Sequence, residues 1–482
     1  MNAETPLLEI SDLYFAYPHG DYVLRGLNFT LSRGEHVLII GDTGSGKTTL
    51  ARVITKVGKL VYQGRLSGSI RVLGREIDKV DLEFLTRVFH VVGQNPYAYF
   101  TEPLVYDNLL SYALKCHGHV ERAKRAVEKA VEATGTRGLL YRYFYELSGG
   151  EARRVLVARA LVPDPLALIF DEPLMWLDDQ GVNDFLDLLG LLKSLGKSVL
   201  VFEHRFLPLV KHVDKIYLLT GGKLREVTDM VYRLLRAQRA IDPKERVVQG
   251  KAGGGRVLLE LRNVQYAYGS SEPILRGVNL EVREGDSALI YGLNGCGKTT
   301  LLKIAAGYLK PKRGVVNKYA NVMYIPQNII LFYTEEAVEK EVREICVAKD
   351  SRSRCVEEGI YKVRELGIDP EVSPFNLSHG QMVKLAITLA SIAGARVLLL
   401  DEPFSGLTYS DRLKLLDHLK KSNVSFILTT STLDAFQEGM WTRAYKLESG
   451  VLFELGKPMG TAENKLRIAA QLYEALRSGP SY

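Results

Sequence analysis

Two octapeptides carry the densest chemistry in the chain. Gly41-Asp42-Thr43-Gly44-Ser45-Gly46-Lys47-Thr48 and Gly292-Leu293-Asn294-Gly295-Cys296-Gly297-Lys298-Thr299 both read G-x-x-x-x-G-K-T, and Thr49 and Thr300 follow them. Glycines at this spacing let consecutive backbone N–H groups wrap phosphate oxygens at a helix N-terminus. The lysine then reaches the β- and γ-phosphates, and the hydroxyl of Thr48 or Thr299 joins a Mg²⁺ shell. Each octapeptide follows an apolar, strand-sized run, His36–Ile40 or Ser287–Tyr291, and precedes a helical pattern. That is the context a phosphate-binding loop needs.

Two pairs of acids stand at matched places downstream. Ala167-Leu168-Ile169-Phe170 runs into Asp171-Glu172, and Val397-Leu398-Leu399-Leu400 runs into Asp401-Glu402. A strand buried on both faces reads as such an apolar run. Its C-terminal end is where an open α/β sheet meets its ligand. Asp171 and Asp401 are therefore expected in the Mg²⁺ shell, with Glu172 and Glu402 polarising an attacking water.

The elements that must position these groups occur twice. The two loops are 251 residues apart, and so are Phe15-Ala16-Tyr17 and Tyr266-Ala267-Tyr268. Leu147-Ser148-Gly149-Gly150 returns 230 residues on as Leu377-Ser378-His379-Gly380, and Asp171-Glu172-Pro173 returns as Asp401-Glu402-Pro403 at that same distance. Ordered landmarks at two nearly constant distances mean two homologous domains, the second one shorter. The period is far too long for a solenoid. The expected layout is a first domain over 5–236, a flexible basic linker over 237–256, a second domain over 257–455 and a helical tail over 456–482. In the tail, Leu466, Ala469, Leu472 and Leu476 recur at helical spacing, with Thr461 as N-cap. Such a helix either packs on its own domain or binds a partner, and the first is the simpler expectation.

Composition narrows the class. The 482 residues are 46% hydrophobic and 25% charged, which excludes disordered and fibrous chains. The net charge of +7 is concentrated at the junction, where 233–256 hold seven Lys/Arg against two acids. The rest offers no broad basic surface, so no nucleic acid is expected as partner. The four cysteines form no C-x-x-C pair, which argues against a disulfide scaffold and against zinc or iron–sulfur. No apolar stretch approaches the ~20 residues of a spanning helix, and the first ten residues lack a signal peptide's apolar core. The expectation is a soluble chain on the cytoplasmic side.

With Leu147-Ser148-Gly149-Gly150-Glu151 and Leu377-Ser378-His379-Gly380-Gln381 added to the loops, the chain resembles the ATP-binding cassette (ABC) ATPases. Within them it is similar to the energy-coupling-factor and cobalt-type importer ATPases, through Gln94-Asn95-Pro96-Tyr97-Ala98-Tyr99-Phe100. The resemblance covers all but linker and tail. It implies an α/β fold of two tandem P-loop NTPase domains, each a mainly parallel sheet core with an antiparallel β subdomain and a helical subdomain. It implies head-to-tail pairing, in which Ser148, Gly149 and Gly150 complete the ATP site on Lys298, and Ser378, His379 and Gly380 the site on Lys47. It further implies that Tyr17 and Tyr268 stack on adenine, that Gln94 and Gln327 sense Mg²⁺ and water, and that His204 contacts the γ-phosphate.

The activity so implied is ATP hydrolysis driving import of a vitamin or metal ion, at the cytoplasmic face of the cell membrane. The partners implied are an integral membrane coupling subunit, docked on 103–114 and 338–345, and a substrate-binding membrane subunit. Two alternatives stay open. One is a soluble tandem ABC ATPase acting on ribosomes or nucleic acid; the other is a fused sugar or nucleoside importer ATPase.

The copies are not equivalent. Ser431 stands where His204 stands in the first copy, His379 replaces a signature glycine, and Thr408 replaces Asp178. A hydroxyl cannot replace an imidazole as donor to a developing phosphate charge. The site on Lys47 is expected to hydrolyse faster.

Overall fold

A computed structural model describes residues 5–93, 99–147, 149–175, 177–241, 254–269, 272–347, 349, 351–433, 440–455 and 465–478. They divide into two compact units: the chain up to Ile241 together with that from Leu472 onward, and the chain between.

In the first unit the apolar runs become one six-stranded sheet. Its spatial order is Lys223–Glu226, Lys215–Thr220, His36–Ile40, Ser198–Glu203, Ala167–Asp171 and Phe89–Val92. All neighbours pair in parallel except the antiparallel edge strand Lys223–Glu226. The central strands are buried along their whole length, as unbroken apolar runs require. An antiparallel sheet of Tyr22–Leu31, Leu8–Ala16, Arg65–Val72 and Arg75–Glu76 lies beside it. The helix Lys47–Ile54 packs Leu50, Val53 and Ile54 into a core shared with Phe15, Leu24, Ile39 and Phe202. Full burial of each such side chain stabilises by about 1.5–3 kcal/mol. The phosphate-binding loop is thereby clamped between two sheets. The helices Val105–His117, Val120–Thr134 and Gly149–Leu161 form the helical subdomain.

The second unit repeats this plan, with sheet order Val322–Ile325, Val397–Leu400, Ser425–Thr430, Ser287–Tyr291, Arg443–Glu448 and Val451–Glu454. Among the described residues its antiparallel sheet has three strands instead of four. Between the loop and the matched glutamine, the first copy carries the helices Val57–Leu60 and Leu82–Val88 and the strand Arg75–Glu76. None of the three has a counterpart among the described residues of the second copy, which accounts for its shorter length.

Three features depart from the sequence reading. The helix Thr228–Ile241 carries regular structure past 237, where the linker was expected to begin. Cys346 and Cys355 are joined in a disulfide between the ends of the helices Val338–Ile345 and Arg352–Glu365, a pair that spacing did not reveal. The tail helix Lys465–Ser478 does not stay with its own domain. From Leu472 it packs within the first unit, where Leu472 and Leu476 are buried and the Arg225 guanidinium donates to Leu476 O. Thr461, its expected cap, lies outside the described residues. No helix among the described residues is long and apolar enough to cross a membrane.

Two candidate nucleotide sites

The loops have the geometry their glycines allow. Gly46 and Gly297 cap the helices that follow in the left-handed region, at φ 105° and 107°. A Cβ on Gly46 would also sit 3.1 Å from methyls of Leu24 and Val23, so only glycine satisfies both demands. At Gly41 a Cβ would come within 2.7 Å of Leu219 O, and at Gly292 within 2.6 Å of Leu447 O. By contrast, Gly44 and Gly295 face open space. Lys47 Nζ donates to Gly41 O (2.8 Å) and Asp42 O (2.9 Å), and Lys298 Nζ donates to Gly292 O (2.7 Å) and Leu293 O (3.0 Å). Each buried ammonium is thus folded over its own loop. Burial pushes the Lys47 pKa down against the pull of Glu172 and Glu203. Thr43 and Asn294 lie in the loops between these anchors.

Ser45 Oγ is buried without a hydrogen-bond partner, and so is Asp171 Oδ1. Burial raises the Asp171 pKa against the pull of the nearby Thr48 hydroxyl. A loop ending in an ammonium, an orphaned hydroxyl and a neighbouring Thr and Asp fits phosphate oxygens with a hard divalent cation. Tyr17 and Tyr268 bond through their hydroxyls to Thr49 and Thr300, both at 3.1 Å, so each ring is moored to the helix behind its loop. Tyr17 also accepts from Arg52, and Tyr268 is half exposed.

Glu172 and Glu402 sit just past their strands at φ 49° and 47°, a conformation that costs a non-glycine residue about 1–3 kcal/mol. Glu172 N donates to Phe202 O at 2.8 Å, whereas Glu402 N donates to Thr429 Oγ1 at 3.0 Å. Here the copies diverge. Glu172 Oε1 is 3.8 Å from Lys47 Nζ and 3.8 Å from His204 Nδ1. Burial pushes its pKa up, but the neighbouring His204 imidazole and Lys47 ammonium outweigh it, and the pKa falls below the usual range. Glu402 lies 3.2 Å from Lys298, and its Oε2 accepts from Ser431 N (3.1 Å) and Ser431 Oγ (3.3 Å). There burial outweighs Lys298, and the pKa rises. The acids before them differ too. Asp401 accepts from Tyr324 OH at 2.9 Å and from Thr429 Oγ1 at 3.0 Å, so both its oxygens are engaged.

Gln94 and Ser148 lie outside the described residues. Gly149 begins the helix Gly149–Leu161, and Gly150 follows in its first turn. Gln327 is half-buried, just past the strand Val322–Ile325. Ser378 caps the helix His379–Ile392 through a capping box with Gln381, which leaves His379 and Gly380 in the first turn. Burial lowers the His379 pKa. Asp178 and Thr408 cap equivalent helices, accepting from Gly181 N and Asp411 N, so that exchange preserves the cap.

Sequence reading missed several groups at these sites. Glu203, fully buried, accepts from His204 N, Arg205 N and Leu174 N. An acid ending an apolar strand was its signal. Tyr324 and Thr429 hold Asp401, and neither residue type stands out from core tyrosine or strand threonine. In the tail, Arg477 lies 3.6 Å from Asp42, and the Tyr473 ring is 6.4 Å from Phe206.

Residues 24–175 and 275–405 match the family model for ABC transporters. An ABC transporter ATP-binding protein of Treponema denticola is 27% identical over 93% of this chain and 96% of its own length. One of Sulfurisphaera tokodaii is 29% identical over 92% and 96%. An RNase-L inhibitor structure aligns over 96% of this chain and 93% of its own, with a TM-score of 0.59 at 23% identity. The archaeal ribosome recycling factor aABCE1, solved with the stalk protein aP1, aligns over 98% and 93%, with a TM-score of 0.58 at 22% identity. These two likenesses are of fold alone. With both copies matched over more than half of its length, the chain belongs to the ABC transporter family, as an ABC ATPase with two fused domains.

Proposed function

We propose that this ATPase energises an energy-coupling-factor-like importer, peripheral to the cytoplasmic face of the membrane, and that its two ATP sites work unequally. The transport reading is supported by relatives named ABC transporter ATP-binding proteins, which match 92–93% of this chain and 96% of their own length. The cargo class, a vitamin or metal ion, and the two membrane partners rest on the Gln94–Phe100 resemblance. ATP is held between the cassettes, each loop completed by the signature of the other.

At the first loop, Lys47 leaves its carbonyl partners for the β- and γ-phosphate oxygens. Thr48 and Asp171, with Gln94, would hold Mg²⁺, which when bound would neutralise charge on the phosphates. Glu172 accepts a hydrogen bond from the attacking water, which displaces ADP in line. Its lowered pKa keeps it ionised for that task. His204 donates to the γ-phosphate as charge develops. The catalytic work is positioning plus electrostatic stabilisation. At the second loop Glu402 Oε2 is already bonded to Ser431, which leaves Oε1, 3.2 Å from Lys298, to orient water. Thr299, Asp401 and Gln327 would form the corresponding metal set there.

A second reading, action on ribosomes, is favoured by the fold likeness to aABCE1 along nearly the whole chain. Affinity purification of the tagged chain from detergent-solubilised cells separates the two. Co-purification with integral membrane proteins supports import; recovery with ribosomal subunits alone sinks it.

A further inference from the structure

Glu203 closes the strand Ser198–Glu203 and is wholly buried, yet its carboxylate accepts from three backbone N–H groups. Oε1 accepts the N–H of His204 at 2.7 Å and of Arg205 at 2.9 Å, and Oε2 accepts the N–H of Leu174 at 2.9 Å. The same Oε1 lies 3.2 Å from His204 Nδ1. Arg205 Nη1 donates to Leu174 O at 3.1 Å and closes the corner from the other side. Arg153, buried in the signature helix, has its pKa lowered to about 10 by burial against the charge of Glu203. A buried carboxylate loses several kcal/mol of hydration, so a neutral residue is the simpler solution unless the charge has a use.

The second cassette adopts that simpler solution. Strand register pairs Ile40 with Glu203 and Tyr291 with Thr430, so Thr430 occupies the place of Glu203. Ser431 and Thr432 then take the places of His204 and Arg205. Val383, 230 residues beyond Arg153, replaces the buried guanidinium. There the corner closes with hydroxyls: Thr430 Oγ1 donates to Thr432 O and accepts from Thr432 N, both at 3.2 Å. The fold therefore does not need an acid at this corner. Acid and histidine occur together in one copy and are absent together from the other.

We propose that Glu203 is a positioning residue for ATP hydrolysis in the first cassette. It fixes the backbone of His204 against Leu174 and keeps two carboxylate oxygens beside Nδ1 of the imidazole, Glu203 at 3.2 Å and Glu172 at 3.8 Å. Both ring nitrogens are buried without a hydrogen-bond partner, so the imidazole has an unspent donor for the nucleotide. This rests on the reading that His204 acts at the first site. The test is steady-state ATPase of the full chain in two double-variant cycles, Glu203→Thr with His204→Ala and Glu203→Gln with His204→Ala, alongside thermal melts.

Glu203→Thr should lower kcat about 10–100-fold with KM for ATP unchanged within about twofold, the size seen when an outer partner of a working side chain is lost. Glu203→Gln keeps one acceptor oxygen and should fall between it and the parent, and it carries the test where the threonine variant is unfolded. Adding His204→Ala to either variant should cost no more than His204→Ala alone, because both act through one imidazole. Losses that multiply, an unchanged kcat, or a raised KM at constant kcat would overturn the proposal. An unchanged kcat in His204→Ala itself would remove the reading of His204, and this inference with it.

Discussion

The two cassettes share a sheet order, a phosphate-binding loop and a strained glutamate, and differ in what surrounds the acids. In the first, Asp171 keeps an oxygen without a partner and Glu172 is held near Lys47 and His204. In the second, Asp401 is tied to Tyr324 and Thr429, and Glu402 to Lys298 and Ser431. Asp171 keeps an oxygen open to a ligand, while both oxygens of Asp401 are spent on internal bonds. A duplicated fold thus supports two electrostatic environments, because the backbone is held by the apolar core and the acids are tuned by a few neighbours.

The sharpest way to break this comparison is to disable each glutamate. Glu172→Gln should lower steady-state ATPase by about 10²-fold or more, the scale of a lost general base, and Glu402→Gln by much less. A larger loss from Glu402→Gln reverses the assignment. Stability offers a second probe. Leu476→Ala removes a buried side chain at the tail's contact with the first unit and should cost about 2–5 kcal/mol, read as a lower Tm for that unit. Arg477→Ala, at a half-exposed ion pair with Asp42, should cost below about 1 kcal/mol.

The acid limb of the pH–rate profile compares the two bases directly. The Glu172 pKa is depressed, so this base stays ionised as pH falls, and the stability it contributes is lost only when pH drops through that low value. The Glu402 pKa is raised, so protonation takes its base away first, and folding stability from this group declines as pH rises through the raised value. The residual activity of Glu172→Gln should therefore fail at higher pH than that of Glu402→Gln. Coincident limbs would mean that both bases titrate alike. The smallest effect is expected of Tyr324→Phe. Freeing one oxygen of Asp401 should raise Mn²⁺ affinity at the second loop a few-fold, on the scale of one hydrogen bond to a charged group, as read by electron paramagnetic resonance titration with ATP present. Unchanged affinity would show that this hydroxyl does not compete with the metal.

Much of this was legible early. Loops, acid-terminated strands and the duplication are local patterns in which residue type dictates geometry, and the sheet followed from unbroken apolar runs. The unequal places of His204 and Ser431 were also visible, because strand register preserves their spacing. Glu203 carried a signal as an acid ending an apolar strand, but its bond to Leu174 was not visible, nor were the partners of Arg153 and Tyr324, because these meet across long stretches of chain. The tail was read as a helix with an apolar face, but the partner of that face was not written in its own pattern.

By itself, then, the sequence determined two P-loop cassettes, their order and the identity of their acids and lysines. Short-range spacing and apolar periodicity suffice for those. Only the tertiary structure decided that Glu172 is held ionised while Glu402 is pushed toward its neutral form, and that the tail reaches the first loop. Both depend on burial and on charges brought within a few ångströms by the packing of distant segments, and Coulomb energy and desolvation act over distance in space.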